Sequence, residues 1–147
     1  MLDRKIAYIH IGLQNDVIVA MAVTGLSGAA NAPMLIIDYL AVNKEQRGQG
    51  FGRQFLNSIC DWASNEHRVQ GIIIEVEAGK SDEHTERILF WERCGFILTT
   101  YIHQYIWVPE PYQAMLLPLD SSINVPDDGQ SLFRYINSFH KKAYRQR

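Results

Sequence analysis

The chain has 147 residues, 47% hydrophobic and 20% charged, and fourteen Lys and Arg against sixteen Asp and Glu leave a net charge of −2. A chain of this length makes one domain, burying roughly 70% of its unfolded surface, and the near-neutral balance argues against binding nucleic acid through bulk positive potential. The longest unbroken apolar run, Val17 to Val23, spans seven residues, far short of the roughly 20 needed to cross a bilayer.

Met1 to Lys5 alternate charge and apolarity, unlike a signal peptide. From Ile6 to Leu13 the pattern has period 2, with Ile6, Tyr8 and His10 on one side and Ala7, Ile9, Ile11 and Leu13 on the other, which predicts a strand. Gln14-Asn15-Asp16 is turn chemistry. Val17 to Val23, apolar on both faces, predicts an interior strand that pairs with the first as a hairpin. Gly25 to Pro33 reads as a loop. Met34 to Val42 is extended and apolar, broken only by Asp38. After Gly50 the period changes: Phe51, Phe55, Ile59 and Trp62 share one helical stripe, and the helix is expected to end near Asn65 to Arg68. Ile72 to Glu77 predicts a strand, and Ser81 caps a helix that runs to Cys94, with Gly95 just past its end. Phe96 to Val108 is β-rich. Prolines mark an irregular stretch from Pro109 to Pro111, and Gln113 to Leu119 predicts a strand near a sheet edge. Asp127-Asp128-Gly129 predicts a turn before a terminal helix with the stripe Leu132, Ile136, Phe139 and Ala143. The order β-β-β-α-β-α-β-β-α is that of an α/β or α+β domain with a mixed sheet, in which Met34 to Glu77 form a parallel β-α-β unit.

One segment carries chemistry. Arg47-Gly48-Gln49-Gly50-Phe51-Gly52 joins a strand to a helix. The first amides of a helix lack intrahelical partners, the helix dipole adds positive potential there, and glycine lets the backbone approach an anion closely. With Arg47 and Arg53 on its flanks, the segment suits a phosphate or pyrophosphate. It is not a P-loop, because Gly52 is followed by Arg53-Gln54. Nor is it a dinucleotide fingerprint, because its glycines are one residue too close.

The pattern R/Q-x-x-G-x-G/A, matched by Arg47, Gly50 and Gly52 after Leu40-Ala41-Val42, resembles the acetyl-coenzyme A binding motif of the GNAT N-acetyltransferase superfamily. Phe90-Trp91-Glu92-Arg93-Cys94-Gly95-Phe96 is similar to that family's next helix and the Gly-Phe opening the following strand, so the resemblance covers about Ala7 to Thr100. It implies a GNAT-like fold over the whole chain, 1–147. Its central sheet is mixed and mostly antiparallel, with splayed central strands and flanking helices, and residues 109–147 form a strand-and-helix extension. It implies that Leu40, Ala41 and Val42 lie along the pantetheine arm of acetyl-CoA, and that the amides of Gly48, Gln49, Gly50, Phe51 and Gly52, with Arg47 and Arg53, hold the pyrophosphate. The helix residues that usually lie near this co-substrate, an asparagine and a tyrosine, fall at His84 and Trp91. An indole N–H is no practical general acid, so the proton for the leaving thiolate would come from Tyr101 or from solvent.

Acetyl transfer also needs a neutral amine. Asp38, expected on the same strand face as Leu40 and Val42, and Glu75, on the Ile72 to Glu77 strand, are the candidate bases, with Glu77 nearer the strand end. If these acids line one cleft, the acceptor is a cationic amine on a small molecule or a peptide. Each of these residues also has a plainer role: Tyr101 as a packing aromatic, the acids as solvated or paired carboxylates. His10 and His103 are expected in core or surface roles, and His140-Lys141-Lys142 with Arg145 and Arg147 as a solvated helix end. Cys60 and Cys94 make neither a disulfide scaffold nor a zinc site, so a reducing, cytoplasmic setting is expected, with no metal. The terminal stripe must dock on the chain's own sheet or on a second subunit, which would make a homodimer. A non-catalytic acyl-CoA binding module, and a subunit that gains its pocket from a partner, remain alternatives to the enzyme, with no membrane or nucleic-acid partner in any of them.

Overall fold

The computed structural model describes residues 7–119 and 128–144. The expectations for Met1 to Lys5, Ile6, Asp127, Arg145 and Arg147 lie outside these residues. Strands β1 (Tyr8–Gln14) and β2 (Val17–Ser27) form the expected hairpin. Its turn residues Asn15 and Asp16 both take positive φ, 51° and 66°, the conformation that matches strand twist in a two-residue loop. β2 runs on through Gly25 to Ser27, past the expected start of the loop. β3 (Met34–Val42) pairs antiparallel with β2, and a 3₁₀ turn at Lys44–Gln46 leads into α1 (Phe51–His67). β4 (Gly71–Glu77) and α2 (Asp82–Arg93) follow. The chain continues through β5 (Ile97–Leu98), β6 (His103–Gln104), β7 (Pro111–Pro118) and α3 (Gly129–Tyr144). The β-rich stretch from Phe96 to Val108 thus reduces to two short pieces, both paired with β7.

The seven strands form one sheet in the order β1-β2-β3-β4-β7-β5, with β6 also on β7. Among the described residues only β3 and β4 run parallel. β7 lies near the sheet edge, as expected, one strand in from it: it pairs with β4 along its length and with β5 and β6 on its other side. Its prolines, Pro111 and Pro118, are its first and last residues, where a missing N–H interrupts the ladder least.

The sheet separates two cores. On one face Leu35, Ile37, Ile72, Ile74 and Val76 pack with Phe55, Leu56 and Ile59 of α1 and Trp91 of α2. On the other, Met34, Ile36, Ile73, Ala114 and Leu116 pack with Leu132, Phe133, Ile136 and Phe139 of α3. The terminal stripe therefore docks on its own sheet and gives no ground for a second subunit. Asp128 caps α3 by accepting from the Ser131 amide at 2.8 Å. Tyr8 and His10 turn inward against Trp62, at ring distances of 4.9 and 4.7 Å, while Ile9, Ile11 and Leu13 are exposed.

Candidate active site

The parallel pairing of β3 with β4 is brief: only Leu35 with Ile72 and Ile36 with Ile73. Beyond them the strands lose their ladder, and among the described residues no strand lies beside the β4-facing edge of β3 from Asp38 onward. The expected splay is therefore present, opening between residues 37–42 of β3 and 74–77 of β4.

The glycine segment lies at the β3 end of this opening. Gly50 is the N-cap of α1, with φ 77°, and Gly48 has φ 83°, a left-handed backbone that side chains resist. A Cβ at either would meet no heavy atom within 4 Å. These two glycines thus serve backbone shape in open space. Gly52 differs, since a Cβ there would come 3.4 Å from Phe90 and 3.5 Å from Val42. It permits close packing of α1 on α2 and β3. The first ladder bond at this end runs from the Gln54 amide to the Gly50 carbonyl at 3.1 Å, and no protein acceptor among the described residues takes the amides of Gly48 to Arg53. A run of unpartnered N–H groups at a helix N-terminus, under open space, fits a diphosphate. Arg47 turns back, its Nε donating to the Val42 carbonyl at 3.2 Å, and Gln49 donates to the Glu45 carbonyl at 3.4 Å. Arg53 is exposed on the first turn of α1, and Phe51 packs against the core.

Leu40 and Val42 pack on the α1 and α2 side, and Ala41 pairs with Met21 of β2. Asp38 does not share the Leu40 and Val42 face. The register slips there: Thr24 faces Ile37 and Val23 faces Tyr39, leaving Asp38 as the extra residue of a β-bulge. An extra residue inverts the alternation, so Ile37 and Leu40 both serve one core while Asp38 turns to α3.

On that side lies an open cleft of about 1220 Å³. Asp38 and Glu75 both line it, with His140 between them. His140 Nε2 is 3.1 Å from Asp38 Oδ1 and 3.7 Å from Glu75 Oε2. Tyr105 donates to Glu75 Oε1 at 2.8 Å, and Tyr144 donates to Asp38 Oδ2. Burial raises the Asp38 carboxyl, but the hydrogen bonds from His140 and Tyr144 and the His140 charge outweigh it and hold the group below its usual range. Burial dominates at Glu75 and pushes it up. The Asp38 hydrogen bond holds His140 above its ordinary value despite burial, helped by the charges of Glu75 and Asp38. Tyr144 is pushed up to about 12 by its bond to Asp38, and Tyr105 higher still, first by burial and then by Glu75. Neither phenol is an effective acid near neutral pH.

The remaining expected residues sit apart. Tyr101 bonds through its hydroxyl to His103 Nδ1 at 3.1 Å and lies edge-on to Phe133, beside a separate hollow near Asp128 and Gly129. Trp91 is 8% exposed, inside the core between Phe90 and Phe96. His84 folds over the start of α2, its amide donating to Ser81 Oγ and its Nε2 lying 3.5 Å from Glu77. Burial raises both thiols, Cys60 to about 11, so neither is a ready nucleophile.

Sequence reasoning missed His140, Tyr105 and Tyr144. His140 is half-buried rather than a solvated helix end. The available signal was its spacing: it follows Phe139, lies four residues after Ile136 and precedes Tyr144 by four, on the flank of the buried stripe.

A family model described as an acetyltransferase (GNAT) domain matches residues 5–98. Arabidopsis thaliana Naa50, solved with a bisubstrate analogue containing coenzyme A, is 24% identical, with 74% of this chain and 70% of that chain covered and a TM-score of 0.60. The ribosomal-protein-S18-alanine N-acetyltransferase of Escherichia coli is 21% identical over 84% of this chain and 77% of that one, with a TM-score of 0.62. A variant of the spermidine N-acetyltransferase SpeG from Vibrio cholerae is 11% identical, covering 99% of this chain and 73% of its own, with a TM-score of 0.63. At these identities the likeness is one of fold. No curated protein matches the sequence.

Proposed function

This chain belongs to the GNAT acetyltransferase family, and we propose that it moves the acetyl group of acetyl-CoA to a cationic amine by direct attack in a ternary complex. The observation that carries the reading is the pairing of two sites across one splay. The unpartnered amides of Gly48 to Arg53 stand on the α1 side, and a carboxylate-lined cleft stands on the α3 side. Solved structures of the same fold contain coenzyme A in a bisubstrate analogue or acetyl coenzyme A. Those two structures and the spermidine enzyme support an acyl-CoA donor and an amine acceptor.

In this reading the loop amides, with Arg53, hold the pyrophosphate. The free edge of β3 at Leu40, Ala41 and Val42 lies along the pantetheine arm, adding to the sheet as an extra strand would. Arg47 fixes the end of that edge through the Val42 carbonyl. Acetyl-CoA supplies the activated thioester. Asp38 and Glu75 draw the ammonium into the cleft, and Tyr105, Tyr112 and Trp107 give it an aromatic wall. With Trp91 in the core and the cleft phenols held as weak acids, the thiolate leaves without a dedicated side-chain acid. That is tolerable because a thiol ionises near ~8.5.

The test is calorimetry with acetyl-CoA followed by free-thiol release across a panel of diamines, polyamines and peptides with free N-termini. Binding with turnover on at least one amine is expected. Tight binding with no turnover on any would instead favour a non-catalytic acyl-CoA module.

A further inference from the structure

The cleft acids are already occupied. Asp38 Oδ1 faces His140 and Oδ2 accepts from Tyr144, while Glu75 Oε1 accepts from Tyr105 and Oε2 faces His140. An ionised carboxylate only accepts, so His140 Nε2, set between two of them, carries a hydrogen in either protonation state. In the neutral ring the lone pair then sits on Nδ1, for which no hydrogen-bond partner occurs among the described residues. The ring lies at the cleft wall, only part-buried, beside the two acids that follow the last β3–β4 pair.

Resting on the transferase reading above, we propose that His140, delivered by the C-terminal helix, is the proton acceptor for the substrate ammonium, and that Asp38 and Glu75 position it. The ammonium gives one proton to Nδ1 of the neutral imidazole and becomes an amine. The amine nitrogen forms a bond to the thioester carbonyl carbon, and the carbon–sulfur bond breaks with its electron pair on sulfur. The second nitrogen proton passes to that thiolate. The products are the amide, the free thiol and imidazolium, which returns its proton to solvent.

The groups that face His140 are Asp38 from β3, Glu75 from β4 with Tyr105 behind it, and Tyr144 from its own helix; Arg134 and Lys141 lie farther along the cleft wall. The hydrogen bond to Asp38 and the two acidic charges strengthen the imidazole as a base. The carboxylates are poorer bases here, Asp38 because its ionised form is so well satisfied.

The experiment compares wild type, His140→Gln and Asp38→Asn by pH profile of kcat/KM on the best amine of the panel. Histidine NMR titration and acetyl-CoA calorimetry are run on each. Wild type is expected to lose activity on an acid limb whose midpoint equals the His140 titration. Asp38→Asn should move both midpoints down together, a readout that a purely structural role would leave still. His140→Gln should lose roughly 10²–10⁴-fold at pH 7, keep its acetyl-CoA affinity, and recover as pH nears the amine's own ionisation around ~10. A His140→Gln variant that retains the acid limb at the wild-type midpoint overturns the assignment of His140 while leaving the transferase reading intact. Wild type that binds acetyl-CoA but acetylates nothing overturns both.

Discussion

Gly50 and Gly52 of the cofactor loop should respond differently when replaced. At Gly50 a Cβ would meet no heavy atom within 4 Å, and φ is +77°. Gly50→Ala therefore brings backbone strain without a clash, about 1 kcal/mol, which in a domain of this size lowers Tm by roughly 2–4 °C. It leaves the amides and their charge environment in place, so acetyl-CoA affinity should change less than about threefold. Gly50→Asp adds the same strain and a carboxylate facing the space where the diphosphate would sit. Two like charges ~4 Å apart repel by about 1 kcal/mol in water and ~4 kcal/mol at an effective dielectric near 20. The dissociation constant should therefore rise between roughly fivefold and a thousandfold. Gly52→Ala tests the opposite case, because Gly52 lies in the first turn of α1 without a positive φ, and a Cβ there would meet Phe90 at 3.4 Å and Val42 at 3.5 Å, ordinary contact. It should hold or raise stability, by up to about 1 kcal/mol as alanine does for glycine within a helix, while affinity stays nearly constant. Calorimetry and thermal denaturation on the three variants check this. A Gly50→Asp protein that is folded and binds acetyl-CoA within twofold of wild type would refute the placement of the diphosphate on these amides.

Four further outcomes follow from the α3 face. His140 has a raised folded pKa, so its stabilisation is complete below its unfolded value of 6.5 and is lost as pH climbs through the folded value. Wild-type Tm should fall as pH rises above 6.5, and His140→Gln should flatten that fall. Asp38 has the opposite sign, its contribution present above 3.8 and lost as pH drops through its depressed value, so Asp38→Asn should blunt acid unfolding. Ile136→Ala, at a site 1% exposed, should cost about 2–5 kcal/mol in denaturant titrations and spare acetyl-CoA affinity, since α3 lies opposite the glycine loop. Deletion of Asp38 should restore regular β2–β3 pairing and preserve acetyl-CoA binding while abolishing turnover, as a thiol-release assay would record.

The co-substrate half of the site was legible because its determinants are local. A strand, three glycines at fixed offsets and a helix stripe are all written within about fifteen consecutive positions, and backbone amides need no distant partner. The order of elements was readable for the same reason, from Tyr8 through Cys94. The acceptor half was not, because it is assembled by contacts across 102 residues between Asp38 and His140 and 30 between Glu75 and Tyr105. Period 2 assigned Asp38 to the wrong face because a bulge leaves no mark in composition; one extra residue is invisible until its pairing partner is known. β7 was readable as a strand near the sheet edge from its prolines, and their position at its two ends is what lets it sit one strand in from that edge. The histidine of a basic tail looked solvated because the charges around it outweighed its place beside the buried stripe.

That bulge is what lets one strand serve two substrates. In a regular strand, residues 38, 40 and 42 would all share the α3 face of Met34 and Ile36, and Leu40 and Val42 would be lost to the side that packs towards α1 and α2. The slip between Val23 and Thr24 puts Leu40 and Val42 on that side and Asp38 on the side of α3. It falls two residues after the last β3–β4 pair, at Ile36, where the sheet has begun to open. Splay and inversion therefore act at one place: the opening exposes the backbone edge, and the inversion carries Leu40 and Val42 to the α1 and α2 face while Asp38 keeps the face of Ile36. Glu75 stands two residues after Ile73, as Asp38 stands two after Ile36, so the two acids meet across the opening without any bulge in β4. α3 then closes the geometry by laying His140 over both. A cofactor entering from one side and an amine from the other would meet at the single gap in the sheet, which is the arrangement that direct transfer in a ternary complex demands.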